Sequence, residues 1–278
     1  ARGVRRAHAC PVRRASATAK INLALVVGPE RDDGYHEVAT VLQRVDLTDR
    51  IDIEPARHIS IDGFAEDTLV RRALELLASE TGGAWHARIE KHIPVAAGLG
   101  GGSSDAATAL ALANTTLDEP LPRERLAALA AGLGADVPFF LSDGPQLATG
   151  IGTNLEPLDL PQDYWVVIVL PHDAAKSSTA DVYGAFDRGS GFAERREALL
   201  AALAGVRHAA DLAALPPNDL ASSPVADELR AAGAFRADVS GAGPAVYGLF
   251  LAEEERASAS RRMQRLGRVW ITAPAWYG

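Results

Sequence analysis

One cysteine, Cys10, leaves this chain of 278 residues no partner for an internal disulfide and no thiolate cluster for a metal, the usage expected in a reducing cytoplasm. Nor does any window approach the roughly 18 uninterrupted apolar residues of a membrane-spanning helix. Even "DYWVVIVLPHD" has only the length of a buried strand. Positive charge is also short. With a formal net charge of -8, no general attraction to nucleic acid or to an anionic membrane is expected, so any phosphate site must be local. His8, His58, His86, His92, His172 and His208 are scattered without ligand spacing, which gives no reason to expect a structural zinc. Internal repeats and heptad runs are missing too.

What remains is the composition of a folded globular chain, 47% hydrophobic and 23% charged. The basic start "ARGVRRAHACPVRR" has no apolar run of a signal sequence, and residues 1–15 read as a flexible leader. "ASATAKINLALVVG" reads as a strand, and "HEVATVLQRVDLTDRIDIEP" as Val- and Ile-rich strand with a turn signal at Thr48 to Arg50. Helices are expected at "DTLVRRALELLASE", from about Ser103 to Asn114, from Arg123 to Gly132, and later at 179–186, 193–203 and 223–232. "ADVSGAGPAVYGLFL" reads as two strands around a glycine turn. Strands and helices mix without strict alternation, which points to an α+β architecture. The pattern restarts after Gly150 to Gly152, so the chain divides near residue 155 into 1–155 and 156–278.

The densest chemical signal is "PVAAGLGGGSSDAATAL", residues 94–110. A helix N-terminus exposes N–H groups with no internal partner and carries about half a positive charge, so it seats an anion. Glycines ahead of it let the backbone approach closely. Serines at the junction can cap the helix and donate to phosphate oxygens. A phosphate cradle follows. The loop lacks the Gly-Lys-Ser/Thr ending of a Walker A sequence, and Ser103 stands where a dinucleotide fingerprint needs its third glycine.

This loop resembles the ATP-binding loop of the GHMP small-molecule kinases. "AKINLALVVGPERDDGYHEVATV", "GLGADVPFFL" at 132–141 and "SGAGPAVYGLF" at 240–250 are also similar to that family, in its order. Within the family they resemble the branch acting on a cytidine-diphosphate-linked sugar alcohol. The resemblance implies a two-domain GHMP kinase fold, with the site in a cleft between an N-terminal ATP-binding domain and a C-terminal α/β domain. It also implies ATP, with Mg2+ delivered on the nucleotide, and a small-molecule alcohol as partner.

The resemblance assigns roles residue by residue. Lys20 and Asp136 are the implied catalytic pair, the carboxylate taking the substrate hydroxyl proton and the ammonium facing it. Alone, Asp136 reads as a turn residue and Lys20 as a snorkelling lysine. Lys91, Pro94, Gly98, Leu99, Gly100, Gly101, Gly102, Ser103 and Ser104 are the implied nucleotide contacts, although Lys91 alone reads as a solvated strand-end charge. Asn22 shares a strand face with Lys20 and is a candidate on the substrate side. Tyr35, His36 and Tyr183 are implied to hold the substrate's base, and "SGAGP" to pack beside the phosphate loop. Asn218-Asp219 reads equally as a cap and receives no catalytic role.

Thr68 stands where relatives often carry Asn, which bears on adenine recognition, and Lys176 where a small residue is common. Three other readings carry weight: a kinase of the same family acting on mevalonate or homoserine, a silent nucleotide or sugar sensor, and a dinucleotide-dependent oxidoreductase. The first lacks a reason for "DGYHE", the second for keeping both Lys20 and Asp136, and the third for the broken fingerprint.

Overall fold

A computed structural model describes residues 12–64, 68–174, 179–186 and 191–275. Cys10, Lys176 and the side chain of Thr68, each named above, lie outside the described residues.

Among the described residues there are two sheets. The first holds β1 (Arg13–Glu30), β2 (His36–Pro55), β3 (Ser60–Asp62), β4 (Trp85–Glu90), β5 (Gln146–Gly150) and β6 (Asn154–Pro157), in the order β3-β4-β2-β5-β6 with β1 paired to β2. The second holds β7 (Trp165–Pro171), β8 (Arg236–Val239), β9 (Val246–Phe250) and β10 (Gly267–Thr272), in the order β10-β7-β9-β8, all antiparallel.

Three apolar layers follow from which strand faces carry the apolar residues. Helices α1 (Thr68–Thr81), α2 (Gly101–Asn114) and α3 (Arg123–Leu133) cover one side of the first sheet, burying Leu74, Leu77, Leu110 and Leu129 against Ile51, Ile53 and Ile89. Helices α6 (Pro224–Ala231) and α7 (Glu253–Met263) cover the second sheet, with Leu229 and Met263 on Val167 and Val169. Between the sheets lies a shared core: Ala19, Ile21 and Leu23 of β1 meet Val166, Ile168, Tyr247 and Leu249, and Leu199 of α5 (Phe192–Gly205) packs into the same layer. The alternating residues Lys20 and Asn22 therefore point away from that layer. A short helix α4 (Thr179–Gly184) carries Tyr183. No helix among the described residues is long and apolar enough to cross a membrane.

Three expectations are corrected. Residues 13–15 are strand rather than flexible leader, because Arg13, Arg14 and Ala15 pair with Ile53, Asp52 and Ile51, and Arg14 Nε donates to Asp52 Oδ1 at 2.6 Å. Thr48 to Arg50 form no turn but pair regularly with Thr18, Ala17 and Ser16 inside one long strand; the irregularity is a bulge just before them at Asp46 and Leu47, where Ala19 lies opposite Val45. The helix after the glycines starts at Gly101, capped by Gly100 in the left-handed conformation and by no serine side chain.

Candidate active site

The phosphate loop leaves β4 and enters α2, and it is fastened from three directions. Lys20 N–H of β1 donates to Leu99 O at 2.9 Å, Ala245 N–H to Ala97 O at 3.0 Å, and Ser240 Oγ–H to Gly98 O at 3.0 Å. Two glycines are required by shape. A Cβ on Gly98, at φ +81°, would lie 2.2 Å from Ser240 O, and one on Gly100, at φ +70°, 2.9 Å from both Lys20 Cγ and Phe140 Cζ. The turn 240–243 thus packs beside the loop, as the resemblance implied.

Within the loop, Leu99 sends its side chain into the core between the sheets, so only its backbone faces the site. Ser104 is buried, whereas Pro94, Gly101, Gly102 and Ser103 are half-buried. The open end of α2 presents the first-turn N–H groups of Gly101 to Ser103, the seat for an anion.

Lys20 and Asp136 meet at this end, with Nζ 3.6 Å from Oδ2. The lysine side chain is 5% exposed and the carboxylate 41% exposed, so the acid is the accessible partner. Asp136 is held in place by its neighbours, since Val137 and Phe139 are fully buried and Val137 N–H donates to Gly134 O. Lys20 is aimed by a chain of hydrogen bonds. Its Nζ donates to Asn22 Oδ1 at 2.6 Å, Asn22 Nδ2 to Thr40 Oγ1 at 2.8 Å, and Thr40 Oγ1 to Ala24 O at 2.7 Å. Asn22, a candidate for the substrate, is thereby committed at both ends of its amide to orienting the ammonium. Gly241 touches the same spot: a Cβ there would sit 3.2 Å from Lys20 Nζ.

The aromatic corner lies beyond the acid. Tyr35, 58% exposed, stands at the tip of the hairpin between β1 and β2, where its N–H donates to Asp33 Oδ1. His36 Nδ1 lies 2.9 Å from Gly28 O, a partner that can only accept, so Nδ1 carries the proton and Nε2 of the neutral ring is an acceptor. The His36 ring is 5.6 Å from that of Tyr183 and 6.1 Å from that of Phe186. Burial and the Asp136 charge both push the Tyr183 phenol well above its usual range, which ties this corner to the Asp136 carboxylate.

Lys91 does not stand as an open charge at a strand end. Its Nζ is bound by Asp49 Oδ2 at 2.5 Å and Asp105 Oδ2 at 2.6 Å beneath the loop. Thr40, Asp105 and Phe186 receive no role from the sequence and Asp49 only that of a turn residue, because each is an ordinary residue of its element; only proximity in the fold gives it a partner. Asn218 Nδ2 fastens the glycine turn through Val239 O and Gly241 O, while Asp219 Oδ2 accepts from Val27 N–H and Arg195 Nε.

Residues 68–144 match the GHMP kinases N terminal domain and residues 190–269 the GHMP kinases C terminal domain. Over 274 residues the chain is 38% identical to the 4-diphosphocytidyl-2-C-methyl-D-erythritol kinase of Desulfitobacterium hafniense, covering 92% of this chain and 93% of that one. The chain belongs to the GHMP kinases, among the 4-diphosphocytidyl-2-C-methyl-D-erythritol kinases.

A second relative, the enzyme of the same name from Geobacter metallireducens, is 40% identical over 280 residues, covering 92% and 96%. A crystal structure of 4-(cytidine 5'-diphospho)-2C-methyl-D-erythritol kinase superposes with a TM-score of 0.77 at 33% identity, covering 95% of this chain and 100% of that one. A homoserine kinase from Cytophaga hutchinsonii also reaches 0.77, at 17% identity and 96% coverage of each chain, and shares the fold. The two-domain GHMP fold expected from the sequence is therefore present, and this GHMP kinase is an ATP-dependent small-molecule kinase.

Proposed function

We propose that this chain transfers the γ-phosphoryl group of ATP to the 2-hydroxyl of 4-diphosphocytidyl-2-C-methyl-D-erythritol, in the cytoplasm, as a step of the non-mevalonate route to isoprenoid precursors. The observation that carries the reading is the Lys20–Asp136 pair at the open end of α2, with an aromatic corner on its far side.

Phosphoryl transfer asks for charge stabilisation, alignment of the alcohol and a destination for its proton. The amides of Gly98 to Ser103 supply the first. Asp136, the exposed partner of the pair, accepts the proton, and Lys20 behind it keeps the carboxylate ionised and offsets charge on the group in transit. His36 Nε2 is placed to accept from the amino group of cytosine, with Tyr35 and Tyr183 as faces for the ring. Among the described residues no group of three or more His, Cys, Asp or Glu side chains could hold a metal. Mg2+, delivered with the nucleotide, would be held by the phosphate oxygens and would supply charge neutralisation there.

Homoserine and mevalonate have no base, and the aromatic corner favours the cytidine substrate over them. ADP release from purified protein is the test, with ATP held fixed and the three alcohols compared. Turnover of the cytidine compound alone is expected; equal or faster turnover of homoserine or mevalonate would sink the reading.

A further inference from the structure

The Lys91 ammonium joins the two ends of the phosphate loop. Lys91 is the residue just before it and Asp105 lies in the first turns of α2, so residues 92–104 run between two points tied through one Nζ. The third member, Asp49, comes from β2 just past its bulge and takes three donors. Its Oδ2 accepts from Lys91 Nζ, and its Oδ1 accepts from His92 N–H at 2.5 Å and Ile93 N–H at 2.8 Å. The Asp49 and Asp105 side chains are fully buried and Lys91 is 13% exposed. The ammonium also lies directly under α2's first residue, 3.3 Å from where a Cβ on Gly101 would sit.

We propose that Asp49, Lys91 and Asp105 are positioning residues for the nucleotide, a brace that holds the loop's ends at a fixed separation so that its amides are already arranged when the phosphates arrive. The proposal rests on reading the loop as the seat of ATP.

Burying two carboxylates with one ammonium is a poor way to gain stability, since apolar residues of the same volume commonly do as well or better. What the cluster supplies is direction, with several donors converging on one carboxylate. A glycine-rich loop has the most conformational freedom to lose on closing around an anion. Fixing its ends in advance removes part of that cost from binding. The cation has a second task. The two carboxylates sit behind the helix end that receives the phosphates, and Lys91 offsets their charge there. Burial alone would lower the Lys91 pKa, yet the two carboxylates outweigh it and hold it above its usual value, so the ammonium stays charged through the neutral range.

Asp49→Asn is the decisive variant, because Asn keeps the shape but loses the charge that holds Lys91. Its KM for ATP is expected to rise about tenfold, the scale of one charge-assisted hydrogen bond. The KM for the alcohol substrate and kcat should change less than about threefold. Lys91→Arg, which keeps the cation, should recover ATP binding better than Lys91→Met. Were Lys91 a direct phosphate ligand, freeing it from Asp49 would leave the ATP KM unchanged or lower it, and that result overturns the brace. A lower melting temperature with an unchanged ATP KM in the folded protein overturns it as well. If Asp49→Asn does not fold, Asp105→Asn is read by the same two criteria. Calorimetry on the wild type separates the levels: protein that binds no ATP overturns the functional reading and the brace with it, while normal wild-type binding with equally tight variants removes only the brace.

Discussion

At the phosphate loop the chain presents backbone, fastened by hydrogen bonds from β1 and from the turn 240–245. At the aromatic corner it presents side chains, on a hairpin tip and a short helix. The first region is set by what glycine permits and by buried neighbours such as Leu99 and Phe140. The second depends on rings that reach out, with Tyr35 more than half exposed. On the proposed reading, an anion common to many substrates is met by backbone groups, and the distinguishing base by groups only certain residues possess. Substitutions in the first region should thus act on folding and on ATP together, and those in the second on one substrate alone.

Asp136 belongs to neither region and should give the largest effect. Asp136→Asn removes the proposed proton acceptor while keeping the shape, and kcat is expected to fall about 10²- to 10⁴-fold with little change in the ATP KM. A variant turning over at the wild-type rate would remove Asp136 as the base.

Next comes Gly98→Ala, which places a methyl group on Ser240 O at a backbone angle that disfavours side chains. A loss of about 3 kcal/mol in denaturant unfolding is expected, with weaker ATP binding. Gly102→Ala is its control. That residue is inside α2 and its Cβ would meet only Leu69 Cδ1 at 3.6 Å, so stability should hold or rise by up to about 1 kcal/mol. Equal losses at both positions would mean that the loop is not shaped by close packing against 240–243.

The aromatic corner predicts the opposite split. His36→Ala should raise the KM for the cytidine substrate about tenfold to a hundredfold, the range of a lost base contact, and leave the ATP KM within about twofold. A matching rise in the ATP KM would show that the two regions are not independent.

The same contrast governs what could be read from the sequence. Backbone freedom is written in residue type, so the glycine loop was visible directly, and a period of two placed Lys20 and Asn22 on one face. Asp136 was visible only through resemblance, because a turn aspartate looks the same whatever faces it. Thr48 to Arg50 misled for a physical reason. Polar residues in a strand suggest a turn, but Asp49 is buried there to receive Lys91 and two loop amides, a use found only 42 residues and more along the chain. The serines misled too, since Gly100 in the left-handed region already caps α2 and places them inside the helix.

Tyr183 gives the smallest effect and the finest test of where the corner meets the acid. Burial and the Asp136 charge raise its pKa above the ordinary 10.0. Below pH 10 the phenol is neutral in both the folded and the unfolded chain, so it contributes no pH dependence. Above pH 10 the unfolded chain ionises first, and stability is lost as pH climbs toward the folded pKa. Tyr164 and Tyr247 are shifted the same way by burial, so the wild-type slope alone assigns nothing to Tyr183. The difference between wild type and Tyr183→Phe isolates it. That difference should be flat to pH 10 and then shift in favour of the variant, by at most about 1.4 kcal/mol per pH unit. Repeating the pair in an Asp136→Asn background should shrink the shift, because one of its two causes has been removed. A difference that stays flat above pH 10 would place the Tyr183 hydroxyl in open water, away from the carboxylate.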